Sequence, residues 1–550
     1  MTNRQSKIVN RQSFWVLIGL VGLAAAVRFP ALFANSFHAD EALYGSYARL
    51  IGTGQDLWLH STWVDKPPLL FYLQAIFYPI LGTTAPFVAR LPNFIASILL
   101  VPLVARLVWQ LYVARGAVRR PATALAEGDP LPPKMDEREW AGWIAAAFVA
   151  LSPYTIQFSS TAFLDPLMMF WVVAGLVAVS SQQSAVSSQH SPTHPLAHSP
   201  TRAGILFGLA VVTKFQAGLF LPLVVGVGAL NGWRGREWRR WFTGFVPVLL
   251  ALVAWELARS GQLTLWQGQM FSYGGLRMSW SWELWSRLAQ WGTLWQYTVG
   301  SQVLGFGLLL LLPLFLAFLI QEEDRPTFTD QLFVLFTIAY FLFHWFVAIP
   351  AWDRYLLPLV PIIGLILGRF TGRIVGFFGP ALIPILHSLT GLNPTQQATR
   401  NTIFLFLLLA QLPIAAAAAR SDYPIGGNEN WDEGTAQVAE WLADEPYGTV
   451  LYDHWYGWHW RYYLFDKRVY HYWFPDEAAL LDNLRVFGDD AAAKYLILPP
   501  DPAVGEPVAR ALNHAGYTLE LVGTTVLPDG QNGVSLYRVR PERGGEGATP

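Results

Sequence analysis

Long apolar segments recur along most of the chain, from Phe14 to about Ala419. A helix needs about 20 apolar residues to cross the hydrocarbon of a bilayer, and several of these segments reach that length. Only 14% of the 550 residues are charged, whereas soluble domains usually carry about a quarter. We therefore predict a mainly helical, multi-pass membrane protein.

Residues 421–550 differ from the rest because their composition is that of an ordinary globular protein, large enough to bury its own core. Short runs of β-branched and aromatic residues predict strands at Thr449–Tyr452, Val469–Tyr472, Tyr495–Leu498, Leu519–Val522 and Ser535–Val539. Apolar spacing predicts helices at Ala436–Leu442 and Val508–Ala515. We predict a membrane domain in 1–420 and a small α/β domain in 421–550.

Charge and cysteine content exclude several classes of function. The net charge of −1 gives no electrostatic reason to expect nucleic acid as a partner. The chain has no cysteine, which excludes disulfides, thiolate metal sites and cysteine nucleophiles. Any chemistry must therefore come from carboxylates, histidines, cations and aromatic residues.

Basic residues orient the segments in the membrane, because Lys and Arg collect on the cytoplasmic side. Arg4 and Arg11 precede the first apolar run, so the N-terminus is predicted to be cytoplasmic and the loop 34–66 to lie outside. By the same rule, the arginines that follow segment 93–113 are predicted to lie on the cytoplasmic side. Segment 67–82, which is short and contains three prolines, is therefore predicted to lie on the outer surface as an interfacial helix.

The same rule predicts about eleven spans in a cell membrane, with the C-terminal domain outside. The predicted spans are 14–33, 93–113, 140–157, 161–180, two arms of a hairpin in 203–230, 241–258, 296–320, 331–350, 355–375 and 401–419. Segment 203–230 is divided because arginines flank both of its ends, which brings Lys214 to the outer tip; one helix of about 42 Å is the alternative. The stretch 181–202, rich in Ser, Gln, His and Pro, is predicted to be a disordered cytoplasmic loop.

The first outer loop holds the densest group of polar residues in the membrane part. Asp40 and Glu41 follow the first span, and Asp65 closes the loop. A carboxylate at this surface can act as a general base toward a hydroxyl, and a pair can hold a divalent cation with His38 or His60 as further ligands. An ordinary solvated loop would have the same acidic composition.

Three further ionisable residues stand at the ends of apolar segments. Asp165 is a candidate site residue or a helix cap before Pro166. Lys214 could bind a phosphate at the hairpin tip, or reach water from within one long span. Arg354 could clamp a phosphate, or pair with Asp353 at the interface.

Aromatic residues cluster in two segments outside the spans. Residues 259–295 contain six tryptophans, and residues 452–473 contain four tryptophans, six tyrosines and three histidines. Such rings can stack on sugars or isoprene units. An aromatic belt at the membrane surface is the alternative for the first segment, and core packing against the spans is the alternative for the second.

A set of short motifs, spread in order over about 14–375, resembles the GT-C glycosyltransferases of the protein O-mannosyltransferase and aminoarabinose-transferase group. The motifs are Arg28-Phe29, Asp40-Glu41-Ala-Leu-Tyr44, Asp65-Lys66-Pro67-Pro68, Arg90-Leu-Pro92-Asn93, Leu164-Asp165-Pro166, Thr213-Lys214 and Arg354-Tyr355-Leu-Leu-Pro358. One departure is Tyr44, where some relatives carry an arginine.

The resemblance implies a membrane enzyme that transfers a sugar from a polyprenyl-phosphate donor, usually with inversion, on the outer face. It makes Asp40 the catalytic base, with Asp65 and Glu41 as further acidic residues of the same loop. The substrate-binding residues that it implies are Lys214, Arg354, Asp165, Tyr355 and Arg90. The acceptor stays open among proteins, lipids and cell-surface glycans, and metal dependence varies within the superfamily.

Two other classes of function are alternatives: a transporter or flippase for a lipid-linked sugar, and a membrane scaffold without catalysis. Transporters often show repeated halves, and no repeat is evident in this sequence. An enzyme predicts that Asp40, Asp65, Asp165, Lys214 and Arg354 meet in one outer cavity, whereas scattering over two faces would exclude it.

Overall fold

The structure, a computed structural model, describes residues 11–34, 36–112, 137–181, 200–262, 264–271, 275, 277–298, 300, 312–320, 325–374, 396–426, 432–487 and 492–542. Its first part is helical and its last part contains a sheet. The helices of the first part are α1 (Arg11–Ala34), α2 (Ala39–Gly52), α3 (Leu69–Leu81), α4 (Pro86–Leu111), α5 (Glu137–Leu151), α6 (Pro153–Ser159), α7 (Leu164–Ser180), α8 (Pro200–Thr213), α9 (Leu221–Leu230), α10 (Gly235–Ser260), α11 (Thr264–Phe271), α12 (Ser281–Gln296), α13 (Leu312–Ile320), α14 (Arg325–Phe346), α15 (Asp353–Ile374) and α16 (Gln396–Ala419). A 3₁₀ turn, Phe215–Phe220, leads into α9, and α15 opens with two such turns.

Six of the described helices are long and apolar enough to cross a membrane, namely α1, α4, α10, α14, α15 and α16. The bent pair α5–α6 makes a seventh span, while α7, α8 and the segment 215–230 are shorter apolar helices. The predicted multi-pass helical fold is thereby confirmed. Parts of the predicted span 296–320 and most of the predicted loop 181–202 lie outside the described residues.

Helix α3 lies where the charge pattern predicted an interfacial helix. Its 13 residues give a length of about 20 Å, which is too short to cross the hydrocarbon. The side-chain amide of Gln74 in α3 donates to the carbonyl of Ala89 in α4 at 2.8 Å. The short helix is therefore fixed against the beginning of a span.

Arg28 holds the break between α5 and α6. Pro153 begins α6, and the two helices meet at an angle of 50°. The last carbonyls of α5 consequently lack partners within the helix. Arg28, which is fully buried, donates to the carbonyls of Val149 at 2.9 Å and Ala150 at 2.6 Å, and to the hydroxyl of Thr155. Its charge therefore stabilises a helix C-terminus inside the bundle.

Close packing at two glycines shows that α8 and α10 run in the same direction. A Cβ on Gly204 would lie 2.0 Å from the carbonyl oxygen of Trp241, and a Cβ on Gly208 would lie 2.9 Å from Val248. A residue later in α8 therefore contacts a residue later in α10, as in parallel helices. The intervening segment 215–230 must therefore return across the bundle, as the two basic flanks predicted.

The two ends of this returning segment contact opposite ends of α7. At one end Lys214 meets Asp165 in the first turn of α7, and at the other Asn231 donates to the carbonyl of Val179 near its last turn. Lys214 is therefore the tip of a hairpin formed by α8 and 215–230. The alternative of one long helix with a central lysine is excluded.

The C-terminal domain contains a five-stranded mixed sheet between two layers of helices. Its strands are β1 (Val450–Asp453), β2 (Tyr470–Trp473), β3 (Lys494–Leu498), β4 (Tyr517–Val526) and β5 (Asn532–Pro541), and its helices are α17 (Thr435–Trp441), α18 (Gly457–Tyr463), α19 (Glu477–Phe487) and α20 (Pro502–His514). The strand order is β2-β1-β3-β5-β4, with β1 parallel to β2 and β3 and the remaining pairs antiparallel. All five predicted strands and both predicted helices occur, although α20 begins six residues before the predicted Val508 and β4 extends the predicted Leu519–Val522 at both ends.

Alternation along the strands divides the core of this domain into two faces. Leu451 and Ile497 pack with α17 and α18 on one face, while Tyr452 and Leu496 pack with α19 and α20 on the other. Helix α18 is thereby held between the sheet and the membrane domain.

The outer side of α18 packs directly on α2. Arg49 of α2 donates to the carbonyl of Tyr462 and forms an ion pair with Asp466. His459 Nε2 lies 2.8 Å from the carbonyl oxygen of Phe37, just before α2 begins. These contacts bring the C-terminal domain to the end of the bundle that carries Asp40.

Candidate active site

Asp40 and Arg354 form an ion pair between elements that are far apart in sequence. Arg354 Nη1 lies 2.9 Å from Asp40 Oδ2. Asp40 stands in the first turn of α2 with 32% of its side chain exposed, whereas Arg354 opens α15 and is 15% exposed. Phe163 and Trp352 lie against the guanidinium at 4.8 and 4.3 Å from their ring centroids. The aromatic rings therefore fix the cation in a partly dry position.

Asp353 does not pair with the Arg354 side chain, contrary to one alternative from the sequence. Its carboxylate accepts hydrogen bonds from the backbone N–H of Arg354 at 2.7 Å and of Gly426 at 2.8 Å. It thus ties the chain that leaves α16 to the beginning of α15. The guanidinium remains directed toward Asp40.

Lys214 and Asp165 form a second ion pair beside the first. Lys214 Nζ lies 2.6 Å from Asp165 Oδ1, and it lies 4.7 Å from the ring centroid of Tyr355, the neighbour of Arg354. Asp165 is buried and makes no capping hydrogen bond, because Phe163 occupies the N-cap position of α7. The helix-cap alternative for Asp165 is therefore not observed.

Asp65 and Lys66 lie on the other side of Asp40. They pair with each other, and the amide of Gln269 in α11 donates to the backbone carbonyl of Asp65 at 2.9 Å. Burial raises the pKa of the Tyr44 phenol, and the charges of Asp40 and Asp65 add to this rise. Tyr44 therefore lies close enough to both carboxylates to be affected by their charges.

The electrostatics of Asp40 reflect this gathering of charges. Burial raises the pKa of the Asp40 carboxyl, but the charges of Arg354, His38 and Lys66, with the hydrogen bond from Arg354, outweigh burial and leave the pKa below its ordinary value. Asp40 is therefore ionised at neutral pH. The residues that lower its pKa, Arg354, His38 and Lys66, come from three different parts of the chain.

Glu41 points away from this group and pairs with Arg90 inside the fold. Its carboxylate lies 2.9 Å from Arg90 Nε and accepts from the backbone N–H of Ala162 at 2.7 Å and of His38 at 3.2 Å. Arg90 also donates to the carbonyls of Leu32 and Ser36. Both side chains are about 1% exposed. This geometry joins α1, α2 and α4, and neither residue reaches the group around Asp40.

The comparisons with known proteins give a fold for the chain and a family likeness for part of it. Residues 134–258 match the family model described as dolichyl-phosphate-mannose-protein mannosyltransferase. The crystal structure of ArnT from Cupriavidus metallidurans in the apo state aligns with a TM-score of 0.60 at 16% identity, over 96% of this chain and 98% of that one. The same protein bound to undecaprenyl phosphate aligns with a TM-score of 0.55 over the same shares. No curated protein sequence matches the chain.

The likeness to ArnT at 16% identity shows the fold alone, and the family match is limited to residues 134–258. The chain therefore has the fold of ArnT, and part of it resembles the mannosyltransferase family. A further likeness, to the Archaeoglobus fulgidus oligosaccharyltransferase in the apo form, has a TM-score of 0.48 at 13% identity over 96% of this chain and 75% of that one, too low to carry an argument.

The structure brings together the residues on which the sequence prediction depended. Asp40, Arg354, Lys214 and Asp165 form two adjacent ion pairs, and Asp65 is close enough for its charge to act on Tyr44, in the helix that carries Asp40. All lie at one end of the bundle. This is the arrangement predicted for an enzyme and not the scattered one that would have excluded it.

The expected metal ligands do not fit a metal site in this protein. Across the part of the chain that the structure describes, no three His, Asp or Glu side chains are close enough to share an ion. Burial lowers the pKa of His38, whose Nδ1 accepts from the backbone N–H of Asp40 at 3.0 Å. His60 Nδ1 lies 2.8 Å from the carbonyl oxygen of Arg259, and Asp65 pairs with Lys66. Each of the four expected ligands, Asp40, Asp65, His38 and His60, thus has a hydrogen bond or an ion pair of its own, and they do not meet at one point.

Sequence reasoning missed a hydrogen-bonded chain that supports Tyr355. The amide of Gln216 donates to the phenol oxygen of Tyr340 at 2.7 Å, and that phenol donates to the backbone carbonyl of Tyr355 at 2.7 Å. The chain joins the hairpin tip to α14 and α15. Its only signal was a pair of polar residues one turn apart, Tyr340 and His344, in the otherwise apolar stretch 338–346 of α14.

The aromatic segments divide into buried and exposed residues. In 452–473, Trp460 and Tyr462 are buried between the sheet and α2, while Trp458 and Trp473 are 38% and 54% exposed. In 259–295, Trp291 is fully buried and Trp266 stacks on Phe215 of the hairpin tip with centroids 4.4 Å apart. Four of the six tryptophans in that segment, 266, 280, 282 and 285, are exposed.

Proposed function

We propose that this protein is a GT-C-type glycosyltransferase that transfers a sugar from a polyprenyl-phosphate donor to a hydroxyl acceptor on the outer face of a cell membrane, with inversion at the sugar. The observation that carries the proposal is the pairing of Asp40 with Arg354 directly beside Lys214. A base for the acceptor and two cations for a phosphate then stand side by side. The solved ArnT structure bound to undecaprenyl phosphate supports the same class of donor.

Each group has a role in the proposed transfer. Asp40 takes the proton of the acceptor hydroxyl while its oxygen bonds to the anomeric carbon of the donor. The bond between that carbon and the phosphate oxygen breaks, and the polyprenyl phosphate leaves with the electron pair. Arg354 and Lys214 stabilise the negative charge that develops on the leaving phosphate. Attack from the face opposite the leaving group inverts the anomeric centre.

The ion pairs link donor binding to the strength of the base. Arg354 is the main group that lowers the pKa of Asp40 against the effect of burial. A donor phosphate that draws the guanidinium away removes part of this effect, because an opposite charge favours the ionised carboxylate. The pKa of Asp40 then rises, which makes the carboxylate a better proton acceptor once the donor is in place.

Asp65, Glu41 and Arg90 receive other roles in this proposal. Asp65 lies close enough to act on Tyr44 and holds Lys66, so it orients the rim of the cleft. Glu41 and Arg90 fix α2 against α1 and α4 from the buried side. Asp165 holds Lys214, and Tyr355 faces its ammonium group.

The test is sugar transfer in purified membranes with a panel of radiolabelled polyprenyl-phosphate sugars. Asp40→Asn is expected to abolish transfer from the donor that the wild type uses. Asp422→Asn is the matched control, because Asp422 also lies 2.9 Å from an arginine but is exposed at the end of α16. Normal transfer by Asp40→Asn, with both variants folded, would contradict the assignment of the base. Failure of every donor would contradict the proposed class of donor.

A further inference from the structure

An apolar groove lies between α4, α7 and α8, away from the site around Asp40. It has a volume of about 200 Å³, which is larger than the ~150 Å³ apolar cavity that admits benzene in an engineered protein. Its walls include Leu103, Phe170, Ala174, Val177 and Leu206. Most of these side chains are neither fully buried nor fully exposed, so the groove opens toward the surroundings of the bundle.

Two arginines and a serine form one end of this groove. Arg106 and Arg202 line it together with Ser181, and both arginines are exposed. Neither arginine forms an ion pair with a carboxylate of the described residues. The groove thus has an apolar length and a doubly positive end.

This basic end is the end farthest from Lys214 and Asp40. Arg202 stands in the first turn of α8, and the last residue of α8 precedes Lys214. Arg106 stands near the end of α4, whose first turns carry Arg90 against the loop before Asp40. A phosphate at the two arginines and a donor phosphate at Lys214 therefore occupy opposite surfaces of the membrane.

The length of the groove matches one leaflet of a bilayer. Along α7 it extends from Phe170 to Ser181, which corresponds to about 16 Å of helix. The hydrocarbon core of a bilayer is about 30 Å thick, so one leaflet contributes about half of that. An acyl chain whose headgroup lies at the arginines would reach the bilayer midplane at Phe170.

We propose that this groove binds an anionic glycerophospholipid of the leaflet opposite the active site. One acyl chain lies along α7, and the phosphate of the headgroup receives hydrogen bonds from Arg106 and Arg202. A net negative headgroup is favoured over a zwitterionic one, because an attached ammonium group would meet the same two positive charges. The site is independent of sugar transfer and holds α4, α7 and α8 together behind the Lys214 hairpin.

The experiment measures lipid binding to the purified full chain in detergent by native mass spectrometry, with thermal unfolding as a second readout. Dioleoylphosphatidylglycerol is the probe, and dioleoylphosphatidylcholine has the same chains with a zwitterionic headgroup. Arg106→Gln with Arg202→Gln removes the basic end. Arg236→Gln with Arg239→Gln is the matched control, because these exposed arginines open α10 on the same surface outside the groove. Ala178→Leu fills the groove without changing charge.

The wild type and the control are expected to bind phosphatidylglycerol about tenfold more tightly than phosphatidylcholine, because the ammonium group of phosphatidylcholine would meet the two positive charges. The groove double variant is expected to bind both lipids alike, and Ala178→Leu to bind phosphatidylglycerol more weakly. An unchanged preference in the double variant, or an equal loss in the control, would overturn the proposal. A higher unfolding midpoint with polyprenyl phosphate but not with phosphatidylglycerol would show instead that the groove binds the donor tail. Asp40→Asn should leave lipid binding unchanged, which separates this result from the proposed transfer.

Discussion

The ring of Tyr462 fills the space where a side chain on Gly45 would stand. A Cβ on Gly45 would come within 2.7 Å of Cε2 and 2.9 Å of Cδ2 of that ring. Tyr462 is buried and its hydroxyl donates to the carbonyl of Thr84 at 2.7 Å, so the ring has little freedom to move. Gly45 lies in α2, the helix whose first turn carries Asp40. The C-terminal domain therefore rests on the same helix as the proposed base.

Gly45→Ala is expected to lower both stability and sugar transfer. The added methyl group forces apart α2 and α18, and overpacking of this kind costs about 1–3 kcal/mol. The midpoint of thermal unfolding and kcat report the two effects. Gly22→Ala is the control, because a Cβ on Gly22 meets no atom within 4 Å. An unchanged kcat in Gly45→Ala would mean that α18 does not position Asp40.

Arg354→Gln is expected to move the acid limb of the transfer rate to higher pH. In the wild type the pKa of Asp40 lies below its ordinary value, so Asp40 stays ionised and its titration does not reduce the rate between pH 7 and 5. Without the guanidinium the effect of burial prevails and the pKa rises, so the carboxylate is lost at a higher pH. The measurement is kcat/KM for the donor against pH, which reports the free enzyme in which Arg354 pairs with Asp40. Arg354→Lys keeps the positive charge and should return the acid limb to its wild-type pH. Identical acid limbs in all three proteins would disprove the effect of Arg354 on the pKa of Asp40.

Lys214→Gln is expected to weaken use of the donor far more than use of the acceptor. Loss of a charge-assisted hydrogen bond costs about 1.5–3 kcal/mol, so kcat/KM for the donor should fall by roughly 10- to 150-fold. Lys467→Gln, which removes an exposed ammonium group from the C-terminal domain, is the control. An equal effect on donor and acceptor would argue against a phosphate contact at the hairpin tip.

Glu41→Gln is expected to reduce the amount of folded protein. Removal of one partner from a buried ion pair costs about 3–5 kcal/mol, because Arg90 is left without its counter-charge. The readout is the folded fraction by size exclusion and the midpoint of unfolding. Glu283→Gln breaks an exposed pair with Arg277 and should change neither. A stable Glu41→Gln protein that has lost transfer would restore Glu41 to the catalytic group.

The contact between the two domains is expected to weaken in mild acid. Burial lowers the pKa of His459 to about 4 from an ordinary value of 6.5, so the neutral ring is favoured in the fold. The unfolded chain then binds more protons between these values, and stability rises with pH across that window. The stabilisation is complete above about pH 6.5 and is lost progressively as the pH falls to about 4. His459→Gln should show a smaller decrease in unfolding midpoint from pH 7 to 5, and an identical decrease would refute this role.

The sequence predicted the helical fold and several residues that lie near Asp40 because membrane insertion depends on local properties. Apolar length and the positions of arginines were enough to predict the hairpin around Lys214 and the short helix α3. Strands in the C-terminal domain were predicted because alternation and β-branched residues act over a few neighbours. In the same way, an ionisable residue at the end of an apolar segment is conspicuous without any knowledge of its partner.

Pairings between distant segments could not be predicted in this way. Glu41 and Asp40 are adjacent in sequence, yet helical geometry turns one carboxylate into the fold and leaves the other in the cleft. Arg354 was expected to meet Asp353 or a phosphate, and its distance to Asp40 depends on how α15 packs against α2. The Gly45–Tyr462 contact joins residues more than 400 positions apart, and nothing in either local sequence indicates it.

Each cation of the site already has a carboxylate of its own, with Asp40 beside Arg354 and Asp165 beside Lys214. An arriving lipid phosphate must displace both partners, and both remain within reach while the sugar is transferred. They are therefore competitors for the same cations when the spent carrier is ready to leave. This exchange of counter-ions limits how tightly the carrier can be held and shortens its residence, so the arrangement that receives the donor also promotes release of the product.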